Sequence, residues 1–241
     1  TVKNRQIVLD TETTGMNMVG VHYEGHRIIE IGAVEVINRR LTGNNFHVYL
    51  KPDRLVDPEA FGVHGISDEF LLDKPEFSQV ADEFLDYIRG AELVIHNASF
   101  DIGFMDYEFE KLNRGLAKTE TFCEITDSLL MARKMFPGKR NSLDALCSRY
   151  DIDNTKRTLH GALLDAEILS DVFLAMTGGQ TSLTFSSEND HSEQSDGGII
   201  HREVRNAGGL RVVRASEDEI SAHEARLDLV MKKGGSCLWR I

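Results

Sequence analysis

Asp10 and Glu12 stand two residues apart where the apolar run Gln6-Ile-Val-Leu-Asp10 ends, inside Asp10-Thr-Glu-Thr-Thr-Gly15. At the two-residue period of a strand both carboxylates point to one side. Two anions at the mouth of a core strand repel each other and lose hydration unless a cation sits between them. Asp101 follows the run Leu93-Val94-Ile95-His96 and the turn Asn97-Ala98-Ser99. Its ordinary role there is a helix cap, but neighbouring strand ends converge in an α/β sheet, which would bring it to the same crevice. Asp165 falls inside the apolar stripe of Leu164, Ile168, Leu169, Val172, Phe173 and Met176, whereas Glu167 falls outside it. A carboxylate on a buried helix face needs a partner. His160 lies five residues earlier, about 140° around a helix, so it shares a site with Asp165 only if it precedes the helix, a break that Gly161 permits. Four carboxylates without a Cys or His ligand pair select Mg²⁺ or Mn²⁺ over Zn²⁺. Two such ions roughly 3.5–4 Å apart would stabilise both the attacking and the leaving oxygen of a phosphoryl displacement. With water as nucleophile and His160 as its general base, the expected reaction is phosphodiester hydrolysis.

The elements that must position these residues are readable from apolar periodicity. Gln6–Asp10, Arg27–Ile37 and Phe46–Leu50 read as strands. Phe77, Val80, Ala81, Phe84, Leu85 and Ile88 recur at helical spacing, Leu93–His96 is another short strand, and Phe100–Leu112 is again helix-like. Thr121–Ile125 reads as one more strand, with helical patterns at Leu129–Met135, Leu143–Tyr150 and Leu164–Met176. The expectation is an α/β layer fold with a mixed sheet flanked by helices.

Length and composition bound the rest. The 241 residues, 41% of them hydrophobic, suffice for one large domain with a dependent piece. No stretch reaches the roughly 18 consecutive apolar residues of a membrane span, and Cys123, Cys147 and Cys237 are few and odd in number. These observations point to reduced thiols and the cytoplasm, with no membrane partner. Lys and Arg number 27 against 39 Asp and Glu, a formal charge of −12, the wrong sign for gripping a polyanion unaided. From residue 178 onward ten acidic and eight basic side chains nearly cancel, so the acidity belongs to the part before it.

Periodicity stops at Gly178-Gly179, and the stretch Ser186–Gly198 contains nothing apolar, the composition of a flexible linker. We place the catalytic domain at 1–178, the linker at 179–209 and a tail at 210–241. Ser216-Glu-Asp-Glu219 is a capping box opening a helix with Ile220, Leu227 and Val230 or Met231 on one face and Gly234 at its end. The tail is too small to fold alone. Trp239, the sole tryptophan, reads with Ile220 and Leu227 as an anchor for a protein partner.

In order and context, Asp10, Glu12, Asp101, His160 and Asp165 resemble the motif residues of the DEDD family of 3′→5′ exonucleases, in the branch whose last motif is H-x4-D. The segments VLDTETTGM, IIEIGAVEV, HNASFDIGFMDYE, GKRNSLDALC and TLHGALLDAEIL extend the likeness to its proofreading members in bacterial replicases. The resemblance implies a ribonuclease H-like fold and removal of nucleoside 5′-monophosphates from a DNA 3′ end. It implies that Asp10, Glu12, Asp101 and Asp165 hold two divalent ions, Mg²⁺ or Mn²⁺, and that His160 activates the water. It also implies a pocket for the terminal nucleotide formed by Thr13, Glu59, His64 and Phe100 beside Asp10, Glu12 and Asp165. Gln180, Leu183 and Phe185 look like the Q-x-x-L-x-F peptide that binds a sliding clamp. The tail's implied partner is the polymerase catalytic subunit, and a small accessory subunit is implied on the nuclease domain. Two other readings stay open, a 3′→5′ exoribonuclease of the same fold and a non-catalytic adaptor joining polymerase to clamp.

Overall fold

The computed structural model describes residues 5–178, 215–234 and 239, and the chain divides into two compact units, Thr1–Thr184 and Phe185–Ile241. In the first, β1 (Arg5–Thr13) runs antiparallel to β2 (Ile28–Ile37), whose other edge carries β3 (Arg40–Leu41) and β4 (Phe46–Tyr49). Helices α1 (Pro58–His64), α2 (Asp68–Leu71) and α3 (Phe77–Ile88) lead to β5 (Glu92–Ile95), parallel to β1. Helix α4 (Ala98–Lys111) and a 3-10 turn (Thr119–Thr121) lead to β6 (Glu124–Asp127), parallel to β5. Helices α5 (Ser128–Met135), α6 (Leu143–Tyr150) and α7 (Ala162–Gly178) follow. The result is a six-stranded mixed sheet with helices on both faces, as the α/β pattern predicts.

Strand alternation sorts the core. Ile7 and Leu9 enter one cluster with Phe77 and Phe84 of α3 and Phe104 and Phe109 of α4. Val8 enters another with Ala132, Leu146, Leu169 and Phe173 of α5, α6 and α7. Apart from Ala132, each of these side chains contributes about 1.5–3 kcal/mol when taken fully out of water. By the same alternation Asp10 and Glu12 fall on Val8's side, toward α7, and Thr11 falls toward α4.

The approach of α7 is set by two residues of β2. Gly32 pairs with Asp10 and Glu30 with Glu12 across the β1–β2 ladder. A Cβ on Gly32 would lie 2.1 Å from the backbone nitrogen of Leu163 and 2.2 Å from the carbonyl carbon of Ala162, so only glycine lets the helix start this close. Glu30, buried, accepts a hydrogen bond from the Ala162 N–H at 3.1 Å and one from His47 Nε2 at 2.8 Å. This caps the helix and favours its dipole.

Some expectations shift. Strand β1 continues through the acidic motif to Thr13, because β2 pairs with it as far as Ile28. The Pro58–Gly65 stretch, to which periodicity assigns no element, forms α1, which starts with Pro at its N-terminus and stops at Gly65 with φ 70°. Seven residues are too few for periodicity to announce a helix. The strand expected at Thr121–Ile125 lies at Glu124–Asp127, behind the 3-10 turn.

In the second unit α8 (Glu217–Gly234) opens with the expected box: Glu219 N–H donates to Ser216 Oγ at 3.3 Å and Ser216 N–H to Glu219 Oε2 at 2.8 Å. Leu227 is buried, while Ile220, Val230, Met231 and Trp239 are exposed. The clamp-like residues Gln180, Leu183 and Phe185 and the 186–198 stretch lie outside the described residues. Among the described residues no helix is long and apolar enough to cross a membrane.

Gly32→Ala should destabilise the protein by roughly 1–3 kcal/mol, since backbone on both sides cannot yield. Gly161→Ala, whose added carbon meets nothing within 4 Å, is the control, and urea midpoints of the two variants check the contrast.

Candidate active site

At the C-terminal ends of β1 and β5, where α/β sheets open a crevice, a cavity of about 750 Å³ is lined by Asp10, Glu12, Asp101, His160 and Asp165. Asp101 sits in the first turn of α4 but does not cap it: the Asp127 carboxylate takes the Ala98 N–H at 3.0 Å and also the Leu129 N–H of α5 at 2.8 Å. Asp101 instead accepts from Thr11 Oγ1 at 2.7 Å, which ties α4 to β1 through the odd-numbered side of the strand. Asp165 is in the first turn of α7, its N–H bonded to Gly161 O at 2.8 Å. His160 precedes the helix, held by its own N–H on Val63 O at 3.1 Å, with the imidazole 45% exposed. Its Nδ1 lies 3.2 Å from Asp165 Oδ2. Glu12, His160 and Asp165 each bring one ligand atom within 4.8 Å of the others.

The electrostatics show how costly this gathering is. Burial, then the charges of Asp101 and Glu12, hold Asp10 well above the ordinary carboxylate range. Burial, then Asp165 and Glu30, push Glu12 up to about 8. Burial pushes Asp101 up to about 7 in spite of the Thr11 hydrogen bond. Asp165 goes the other way: burial would raise it, but the forked hydrogen bonds and the charge of Arg157 outweigh that and hold it below its usual value. Carboxylates crowded until they retain protons are what a divalent cation relieves, and an all-oxygen set with one imidazole suits a hard ion. The residues therefore fit a divalent metal.

A second cavity of about 310 Å³ shares Thr11, Glu12 and Phe100 with the first. Its other walls include Thr13, Glu59, His64, Met16, Met18 and Val63, so the four residues expected around a terminal nucleotide come together. His64 is buried and oriented at both nitrogens: Nδ1 accepts from Ile66 N–H at 3.0 Å, leaving Nε2–H to donate to Thr13 O at 3.2 Å. Burial lowers its pKa, which keeps it neutral.

Sequence reasoning missed several residues here. Arg157 forks across Asp165, Nε to Oδ1 at 2.6 Å and Nη2 to Oδ2 at 2.7 Å. A signal for it existed, since a buried Asp165 requires a cationic partner and Arg157 is eight residues away. Arg133 and Lys139 form a basic side of the first cavity, and Glu30 and Gly32 seat α7. Their roles arise from tertiary pairing that spacing does not reveal.

Comparison with known proteins follows the same lines. Residues 7–173 match the exonuclease family model. The DNA polymerase III subunit epsilon of Salmonella typhimurium is 78% identical over 240 residues, covering 100% of this chain and 99% of the relative. That of Escherichia coli is 76% identical over 240 residues with the same coverage, and that of Haemophilus influenzae 60% over 248 residues, covering 98% and 94%. Among solved structures, exonuclease X in complex with 5′-overhanging duplex DNA superposes with TM-score 0.53 at 26% identity, over 72% of this chain and 91% of its own. Exonuclease I, at 16% identity and TM-score 0.62 over 74% of this chain and 42% of its own, shares the fold.

The raised carboxyls give a sign for pH dependence. A carboxyl whose folded pKa exceeds its unfolded one binds more protons when folded, so stability falls as pH rises through the folded value. Histidines 26, 64 and 96 are lowered and act below about pH 6.5. In EDTA, stability should therefore drop between about pH 6.5 and 8.5, by up to about 1.4 kcal/mol per pH unit for each retained proton. Melting curves of Glu12→Gln should lose part of this slope, and Mg²⁺ should restore stability at the alkaline end.

Proposed function

The chain belongs to the exonuclease family and, within it, to the DNA polymerase III epsilon subunits, and from that premise we propose that it excises mispaired 3′-terminal nucleotides during replication, as nucleoside 5′-monophosphates. The observation that carries this is the junction of two cavities at Thr11, Glu12 and Phe100. One has an apolar side of Met16, Met18, Val63 and Phe100 suited to a base, the other is acidic and suited to a phosphodiester. An unpaired terminal base would pack against Met16, Val63 and the Phe100 ring, with Thr13, Glu59 and the oriented His64 around its sugar. That arrangement sets the scissile phosphate beside Asp10, Glu12, Asp101 and Asp165.

Those four carboxylates would hold two divalent cations, Mg²⁺ or Mn²⁺. When bound, such ions supply charge for the attacking and leaving oxygens of the displacement. His160, outside the helix and open to solvent, would take the proton from the attacking water. Upstream phosphates would run along the basic side at Arg133 and Lys139, a local grip on a chain of net charge −12. The remaining affinity would come from tethering. We propose that Ile220, Leu227 and Trp239 engage the polymerase catalytic subunit and that Gln180, Leu183 and Phe185 engage the sliding clamp, which raises the effective concentration of the site at the primer end. A small accessory subunit would bind the nuclease domain, and the whole would act in the cytoplasm at the replisome.

A 5′-labelled primer–template with a 3′-terminal mismatch tests the reading. Mg²⁺-dependent release of single nucleotides is expected, stopped by EDTA, abolished in Asp10→Ala and Asp165→Ala, and slowed roughly 10²–10⁴-fold in His160→Ala. Faster loss of a matched RNA would favour an exoribonuclease, and no release an adaptor. Lys139→Ala should raise KM for an oligonucleotide at unchanged kcat and reduce the salt slope by about one. The same variant should leave hydrolysis of a nitrophenyl ester of a nucleoside 5′-monophosphate, which has no upstream phosphate, untouched.

A further inference from the structure

Arg157 lies between α6 and α7, three residues before His160, with its side chain 8% exposed. Its donors all enter the acidic wall. Nε and Nη2 fork across both oxygens of Asp165 at 2.6 and 2.7 Å, Nη2 reaches His160 Nδ1 at 2.9 Å, and Nη1 reaches Asp144 Oδ1 at 2.8 Å. Bidentate charge-assisted pairs of this kind are the strong class of hydrogen bond. Asp165 brings a carboxylate oxygen within 4.8 Å of one from Glu12, so a cation held between those two carboxylates and the guanidinium would seek the same group. Two positive groups at such separation repel strongly where water is excluded.

The contact with His160 adds a second consequence. Guanidinium nitrogens only donate, so His160 Nδ1 is the acceptor and a neutral ring carries its own hydrogen on Nε2. The lone pair able to take a proton from water is therefore the one that Arg157 covers. Asp144 supplies a place for the guanidinium to remain when it leaves Asp165. Asp144 is 59% exposed at the start of α6 and is bridged by Asn154 Nδ2 at 3.0 Å.

We propose that Arg157 is a positioning residue that competes with the divalent cation for Asp165, so that entry of the cation also uncovers His160. This rests on the metal reading of the site given above, and it links two requirements of the reaction through one side chain. An acid site with its base covered is inert, and the base is released only where the ion has arrived.

The test uses the full chain and Mn²⁺ alone, titrated calorimetrically at one pH against the wild type, Arg157→Lys and Arg157→Gln, with Asp165→Ala as the weak-binding reference. Removing the competitor should tighten Mn²⁺ binding roughly tenfold in the Gln variant, with Lys intermediate because an ammonium keeps the charge but cannot fork. Melting should show the Gln variant less stable in EDTA and gaining more from Mn²⁺ than the wild type. In ¹⁵N spectra the His160 ring signals of the Gln variant should already lie, without ions, near their Mg²⁺-loaded positions in the wild type. Equal Mn²⁺ affinity in the wild type and the Lys variant, or a Gln variant that binds no tighter, overturns the competition and leaves the exonuclease reading standing. Should the Gln variant not fold, the Lys comparison decides alone. Absence of Mn²⁺ binding in the wild type removes the metal reading and this proposal with it, whereas nuclease activity on mismatched primers tests the family function separately.

Discussion

The first turn of α7 rests directly on the backbone of β2, and the other site geometry follows from that contact. Gly32 leaves the space and Glu30 receives the Ala162 N–H, while the same two residues pair with Asp10 and Glu12 in the ladder. Seating the helix and facing Asp165 toward the β1 carboxylates are thus one act. A methyl group at Gly32 would push α7 outward and open the carboxylate cluster, although it touches none of the acids. Thr11 performs the equivalent service on the opposite face of the strand by holding Asp101. One strand, through its alternation, therefore addresses α7 with its even residues and α4 with Thr11.

Gathering buried acids in this way opposes folding, and the structure supplies the compensation elsewhere. Two hydrophobic clusters flank the sheet, and β2 is buried along nearly its whole length. Against this background the charge of each acid is settled individually. Asp165, forked by Arg157, is held below its usual value, whereas burial and neighbouring carboxylates raise Asp10 and Glu12 and burial raises Asp101. The site is thus polarised before any ligand enters, with a satisfied anion on α7 and a strained group around β1. On the proposed metal reading, a cation that displaces protons from the β1 carboxyls and also engages Asp165 would have to disturb the Arg157 pair.

Much of this was legible in the sequence because it depends on short-range periodicity. The parity of Asp10 and Glu12 and the place of Asp165 on a buried stripe needed no tertiary information, and Gly161 marked the helix start that frees His160. The short helices α1 and α2 were not legible, since seven and four residues hold too little pattern to tell a helix from a turn. The β2 residues Glu30 and Gly32 were hidden for another reason. In a strand buried on both faces a glycine and a glutamate look like interruptions, and only the partner helix 130 residues on reveals their purpose. Arg157 was the avoidable omission, because the rule that a buried carboxylate needs a partner pointed to a nearby cation.

The distribution of charge bears on how such an enzyme would choose its substrate. A nuclease with a broad basic groove would seize any DNA and degrade paired ends along with frayed ones. Here the described basic lining of the cavity is confined to Arg133, Lys139 and Arg157, and the last is committed to Asp165 and His160. A strand end that does not reach the apolar pocket at Met16, Val63 and Phe100 gains little from the acidic surface. On the proposed function, entry would then depend on unpairing, which delivers a base to that pocket, and on tethering, which keeps the site close without adding attraction for duplex. The α8 helix exposes Ile220, Val230 and Met231, and Trp239 stands 83% exposed beyond it, apolar surface that a protein partner rather than nucleic acid would cover. On that proposal, separating the grip from the chemistry would let the acidic site stay selective, because the few cations at the cavity would add too little attraction for DNA to override the fraying step.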